Sequence, residues 1–499
     1  MRNTINEILS NNTTRMFFLY AISCCLIGAL IQWVGLPSID HDELEAVRWG
    51  ATKSWFVDKH PPLVGFISYW WAKCTNFNNL PFFLLSKIIA IVSLITIYAL
   101  NRQFLTIHSS LVATAAYGST YAYVTLMSQL DANGILHPIW PMFCLVLWKT
   151  LKTNKFSYWI LLGLISSLAI LGKYQSVLLL ATALVLILSF KNFHKYLVEY
   201  KIYLSLFIFI LILSPHLYTY YNSDYSLKSY IISRGAGENN FFSGRLSTIP
   251  FLVTQVLTWF LGYFILIFSL RKNLNFKVLK NNFNWNDSKT HFLFFMGFIL
   301  PLSPIIVSLL FGLSLLGSWG LVSWFLFPTL ILFLFDDNNS TVRLKPYLYF
   351  VPIYILIMFF VVIINNYYSI ARPTPIPKAM QEIDIQWQKN TDSELNTVIT
   401  YLRPAQGMSF YSKFKPIVIF GNPHQFTWVL DDNNCTLGPT LIITNETKIE
   451  QDRLSKIIKT VGTPNFSANV EVNPEKFKVT TTDNLSFKLI GYKKPICFQ

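Results

Sequence analysis

Long apolar runs alternate with short polar or basic connections through the first three quarters of the chain, and then the pattern changes. Runs near the length that crosses a hydrocarbon core as a helix, about 20 residues, recur at 16–34, 81–100, 104–124, 135–149, 156–172, 174–190, 202–220, 249–270, 291–312, 320–335 and 346–365. They predict a mainly α, polytopic membrane protein with about 11 transmembrane helices over residues 1–365. The first run follows Arg2 and Arg15 like a signal peptide, but it ends without a small-residue cleavage site and reads as an uncleaved span. Beyond 365 the periodicity shortens. β-rich runs at 397–402, 416–420, 440–444 and 487–491 alternate with helical patterns at 378–388 and 448–460. That alternation predicts a soluble C-terminal α/β domain over 366–499.

Composition agrees with this division. Of 499 residues, 53% are hydrophobic and 13% charged, about half the charged share of a soluble domain. The net charge of +15 is largely a topology signal. Basic residues gather in alternate connections: Arg102; Lys149, Lys152 and Lys155; Lys191 and Lys195; Arg271, Lys272, Lys277, Lys280 and Lys289; Arg343 and Lys345. The positive-inside bias then puts the N-terminus in the cytoplasm and, after eleven crossings, the tail outside it. For a bacterial inner membrane that means a periplasmic tail. No nucleic-acid footprint is present. Cys24, Cys25 and Cys144 lie in apolar runs and read as packing residues. Cys435 and Cys497 fall in the tail, where an oxidising compartment would let them pair.

Candidate chemistry gathers in the first connection, 35–80. Asp40, Asp42, Glu43 and Glu45 crowd six positions, and Asp58-Lys59-His60-Pro61-Pro62-Leu63 follows. Crowded carboxylates raise one another's pKa, which suits a general base; the alternative is a solvated loop with helix-capping acids. The apolar stretch 63–71 is too short to span and is expected in the interface. Lys87 sits inside a span, where it either serves a site or snorkels. Asp131, between two spans, either orients a substrate or caps a helix. Lys173-Tyr174 ends the fifth span. The topology places Lys87, Asp131 and Lys173 at the same membrane face as the first loop. Cations there would stabilise a phosphate leaving group, with Lys59 and His60 as further donors. His137-Pro138 reads as a kinked core position. Six cysteines and eight histidines form no close ligand cluster in sequence, so no metal and no cofactor is expected.

Asp42-Glu43, Trp49, Asp58 and His60-Pro61-Pro62-Leu63 resemble the first-loop signature of bacterial integral-membrane glycosyltransferases. The family is that of the protein mannosyltransferases and aminoarabinose transferases, with the GT-C fold. Asn79-Leu80 to Lys87, Asp131, Gly172-Lys173-Tyr174, and Pro215 to Ser229 with Asn222 are similar to further family stretches in the same order, and weaker likeness continues through Gly317-Ser318-Trp319 and Arg372 to Pro377. The likeness spans roughly residues 35–390. It implies a polyprenyl-phosphate-linked sugar donor and an inverting, metal-independent transfer outside the cytoplasm. Carried over by position, it makes Asp42 the base, with Glu43 supporting, and His60 a ligand of the lipid phosphate. Asp58, Lys59, Lys87, Asp131, Lys173 and Tyr174 would complete the donor site. Lipid A, lipopolysaccharide or another envelope glycan is the implied acceptor. The chain departs from the pattern at Leu44-Glu45-Ala46-Val47-Arg48, at Lys59 between Asp58 and His60, and at Asn133-Gly134-Ile135-Leu136 after Asp131. Two other classes compete. A transporter or flippase of lipid-linked sugars needs polar groups near mid-membrane and often repeated halves; here the ionisable groups sit at span ends and no repeat is visible. A membrane scaffold has no use for the acid loop.

Overall fold

The computed structural model describes the chain except residues 1, 37, 58, 224–240, 271–278, 280–281, 336–342, 369–375, 422–428, 432, 446–456, 458–460, 473–484 and 499. Among the described residues, five helices are long and apolar enough to cross a membrane: Asn12–Gly35, Asn79–Asn101, Tyr200–Tyr221, Gly244–Phe268 and Ser288–Phe311. A sixth candidate, Tyr174–Ser189 with Lys191–Leu197, is bent by 116°. The chain is a multi-pass membrane protein, and among the described residues five helices, or six with the bent pair, meet the length and hydropathy of a span.

Two expected spans are interrupted. The run 104–124 forms two helices, Ile107–Gly118 and Tyr121–Ser128. At the break Ser119 Oγ donates to Ala115 O and Thr120 Oγ1 to Tyr117 O, both at 2.7 Å, local bonds that compete with the helical ladder. The run 320–335 is helical only over Phe327–Phe335. Before it, Gly317–Gly320 makes a 3-10 turn, and Gln255 Nε2 donates to Gly317 O at 2.8 Å.

The chain divides into two compact units, residues 1–28, 86–215 and 226–358, and residues 29–85, 216–225 and 359–499. The first is helical. Within it, helix Leu136–Thr153 turns back through Asn154 (φ 49°) into helix Phe156–Gly172. This antiparallel pair sets the start of the earlier helix beside the end of the later one. A Cβ on Gly172 would stand 3.0 Å from Leu136 Cδ2.

The second unit holds the first loop and the tail. Its two loop helices, His41–Ala51 and Leu63–Cys74, cross at a pair of glycines. A Cβ on Gly50 would overlap Gly65 O, and one on Gly65 would come within 3.0 Å of Gly50 N and Trp49 Cβ. Gly50→Ala is expected to destabilise the protein by about 1–3 kcal/mol, the usual range for overpacking, read as a lowered melting temperature in detergent.

The tail is a five-stranded mixed sheet: β1 (Thr397–Thr400), β2 (Ile417–Phe420), β3 (Thr440–Thr444), β4 (Phe466–Val472) and β5 (Leu485–Tyr492), in the order β2-β1-β3-β5-β4. β1 pairs parallel with β2 and β3, and β5 pairs antiparallel with β3 and β4. Side chains alternate between two cores. Val398, Val418, Leu441 and Leu489 pack with Met380, Ile383 and Trp387 of helix Ile376–Asn390. Ile399, Ile419, Ile442 and Ile490 face the other way, onto Ile496 and Phe498. The helical pattern at 448–460 lies, but for Ile457, outside the described residues. Cys435 and Cys497 are disulfide-bonded across 62 residues of chain. Closing a loop of that length stabilises by about 4 kcal/mol in the chain-entropy account.

Candidate functional site

The first-loop acids stand on a short helix whose start is built by those acids. Asp40 is the N-cap of helix His41–Ala51 and takes part in a capping box. Asp40 Oδ1 accepts from Asp42 N, and Glu43 Oε2 accepts from Asp40 N, each at 3.0 Å. Two of the four crowded carboxylates are thus engaged in capping, which satisfies backbone donors that the helix leaves open. Asp42 projects outward and is exposed, whereas Glu43 is buried. Burial holds the His41 imidazole below its ordinary pKa; Glu45 and Asp40 oppose that shift, while Arg403 and Lys59 add to it.

The fourth acid, Glu45, has a separate task. Lys59 Nζ donates to Glu45 Oε1 at 2.5 Å, and Arg48 Nη2 lies 3.7 Å from the same oxygen. Glu45 and Arg48 are 6% and 2% exposed, so one buried carboxylate is shared by a buried guanidinium and a partly exposed ammonium. Lys59 is therefore a cation already shared with Glu45. The His60 ring stands edge-on to Trp49 at 5.5 Å. Pro62 caps the following helix, Leu63–Cys74. Asp58 lies outside the described residues.

The remaining predicted positions belong to the other compact unit. Lys87, in helix Asn79–Asn101, is 2% exposed and donates to Ser86 Oγ at 3.2 Å. It is enclosed rather than snorkelled. Asp131 turns its loop tightly: Oδ1 accepts from Asn133 N at 2.9 Å and Gly134 N at 2.6 Å, and Oδ2 accepts from Asn133 Nδ2 at 3.0 Å. The amide oxygen of Asn133 then accepts a hydrogen bond from Lys173 Nζ. Lys173 is 8% exposed. The antiparallel helix pair thus joins two predicted residues, Asp131 and Lys173, through Asn133, which sequence reasoning passed over. Its signal was the departure itself, Asn133-Gly134 where the family that the sequence resembles usually has Pro-Leu. Tyr174 opens a 3-10 turn, Tyr174–Ser176, secured by Trp140 Nε1 donating to Ser176 Oγ at 2.9 Å. His137 is buried against Tyr117, as a core position would be. In the polar connection between the apolar runs 202–220 and 249–270, Asp224, Lys228, Arg234 and Glu238 lie outside the described residues. Among the described residues no three of His, Cys, Asp and Glu gather as metal ligands.

The fold, several apolar helices with a small C-terminal sheet domain, is ArnT-like and of the GT-C type. Residues 59–219, about a third of the chain, match the family model "Dolichyl-phosphate-mannose-protein mannosyltransferase". Among solved structures, the chain is similar to ArnT from Cupriavidus metallidurans in the apo state, with 10% identity, a TM-score of 0.55, and coverage of 96% of this chain and 98% of that one. It is likewise similar to the same organism's ArnT bound to undecaprenyl phosphate, with 9% identity, a TM-score of 0.54, and coverage of 93% and 96%. At such identity the likeness to these structures is one of fold. No curated protein matches the chain.

Proposed function

We propose that this protein is a glycosyltransferase of the inner membrane. It moves one sugar from a polyprenyl-phosphate-linked donor to lipid A, lipopolysaccharide or another envelope acceptor, with inversion and without a metal. The observation that carries this reading is the fold match over 93% of the chain to a transferase structure that holds undecaprenyl phosphate. The family match over 59–219 supports it independently.

In this reading Asp42 is the general base. It is the member of the acid group that is exposed while its own backbone N–H is held by the cap. A base must reach the acceptor hydroxyl within about 3 Å, and an outward carboxylate on a fixed turn meets that need. Glu43 supports Asp42 by closing the capping box. Lys173 and Lys87, both enclosed, stabilise the departing lipid phosphate together with His60, because a cation in a poorly solvated site acts strongly on developing charge. Asp131 orients Lys173 through Asn133. Asp58, Lys59 and Tyr174 complete the donor site. Residues 1–365 carry the transferase machinery, and the tail, 366–499, stands on the periplasmic side; its disulfide suits an oxidising compartment.

The test is mass spectrometry of lipid A and surface glycans from cells with and without this protein. It is paired with the purified protein supplied with polyprenyl-phosphate sugars and extracted acceptors. One added sugar that depends on the protein is expected. Identical spectra and no product in vitro would overturn the proposal. Passage of the lipid-linked sugar across vesicles without any product would identify a transporter instead.

A further inference from the structure

We infer that Tyr411, in the soluble tail, is a positioning residue for the helix that carries Asp42; this rests on the transferase reading and extends it. The hydroxyl of Tyr411 makes two bonds at once. It accepts from Ile39 N at 2.9 Å and donates to Asn79 Oδ1 at 2.9 Å. Ile39 is the residue before the N-cap Asp40, and it is 1% exposed. A buried backbone N–H outside a helix needs a partner, and here the partner comes from a segment more than 370 positions later in the chain. The next links follow without a gap. Asp40 N bonds to Glu43, and Asp42 N bonds to Asp40. The turn that presents Asp42 is therefore tied to the tail at one end and to itself at the other.

Tyr411 is itself held on rigid parts. It ends the short helix Met408–Tyr411. The following residues are pinned to helix Ile376–Asn390: Ser412 Oγ and Lys413 N both donate to Asp384, at 2.7 Å. Phe410, fully buried, packs edge-on against Phe77 and Phe82 at 5.6 and 5.4 Å. Lys415, in a left-handed conformation (φ 51°), donates to Phe410 O at 2.5 Å, and its ammonium lies 4.4 Å from the Phe77 ring centroid. A non-glycine residue held at positive φ persists only where its surroundings fix it. At the far end of the acid helix, Arg48 lies 5.8 Å over the Phe420 ring of β2. The sheet domain thus meets the acid helix near both ends, and at the Asp42 end the Tyr411 hydroxyl holds the residue before its N-cap.

The test compares the full-length wild type, Asp42→Asn and Tyr411→Phe, purified in detergent and supplied with a polyprenyl-phosphate sugar and acceptor. For Tyr411→Phe, kcat is expected to fall roughly 10–100-fold with KM changed little, the scale on which misplaced catalytic groups cost rate. The acid limb of the kcat–pH profile should move, because Asp42 changes surroundings. Hydrogen exchange at the amides of residues 39–43 should quicken while that of β1 and β3 stays unchanged. A Tyr411→Phe protein with wild-type kcat, or with reduced rate but unaltered pH profile and unaltered exchange at 39–43, overturns the inference. If Tyr411→Phe fails to fold, Asn79→Ala replaces it under the same criteria, since it removes the acceptor and leaves the ring. If the wild type transfers no sugar, the transferase reading falls, and the exchange measurement alone still decides whether Tyr411 holds the helix.

Discussion

Asp42→Asn is expected to lower sugar transfer by about 10²–10⁴-fold, the contribution of a positioned general base, with little change in stability. The side chain of Asp42 is exposed, and its part in the cap is played by its backbone N–H, which asparagine retains. Asparagine also keeps the size of that exposed side chain, so the loss of rate reads as chemistry. Glu43→Gln is the informative contrast. Glu43 is 1% exposed, and its carboxylate receives Asp40 N. Weakening that bond costs stability of about 1 kcal/mol, as caps do, and affects rate only through the helix. Initial rates with purified donor, beside thermal melts of both variants, separate the two. Full activity in Asp42→Asn would remove it from its role as base.

Lys173→Met should lower kcat by about 10²–10³-fold, the scale of losing one preorganised donor to developing charge. Folding should weaken only modestly: Lys173 is 8% exposed, so an apolar chain of similar length relieves its desolvation, while Asn133 Oδ1 loses a donor at a cost of about 1 kcal/mol. Binding of undecaprenyl phosphate, measured separately, shows whether the loss falls on the ground state or on the transition state. A variant with an unaltered kcat would exclude Lys173 from leaving-group stabilisation.

Much of this architecture is legible in the sequence because its signals are local. Apolar runs at 81–100, 156–172 and 202–220 became helices Asn79–Asn101, Phe156–Gly172 and Tyr200–Tyr221. The run 440–444 became β3 without change. Where polar side chains compete with the ladder, as at Ser119 and Thr120, hydropathy reads one span and the chain makes two helices. β4 was missed because it is an edge strand that alternates Phe466, Ala468 and Val470 with Ser467, Asn469 and Glu471; alanine and asparagine dilute the β signal. At the candidate site, residue types were readable and partners were not. Crowding of Asp40 and Glu43 signalled repulsion, whereas the fold spends both on capping. The link from Asp131 to Lys173 runs through Asn133 across a helix hairpin, and Tyr411 reaches Ile39 from the other end of the chain. Pairings of that kind depend on packing, and no spacing along the sequence encodes them.

The order of the sheet has a consequence for biogenesis. β5, the last in chain order of the five described strands, is an interior strand: it lies between β3 and β4 and pairs with both along their lengths. The sheet can therefore close only once residues 485–492 have left the ribosome, so β1 to β4 cannot mature ahead of β5. A nascent polypeptide stalled short of residue 485 would carry every apolar span and both loop helices, yet its sheet would be left with a gap that no earlier strand can fill.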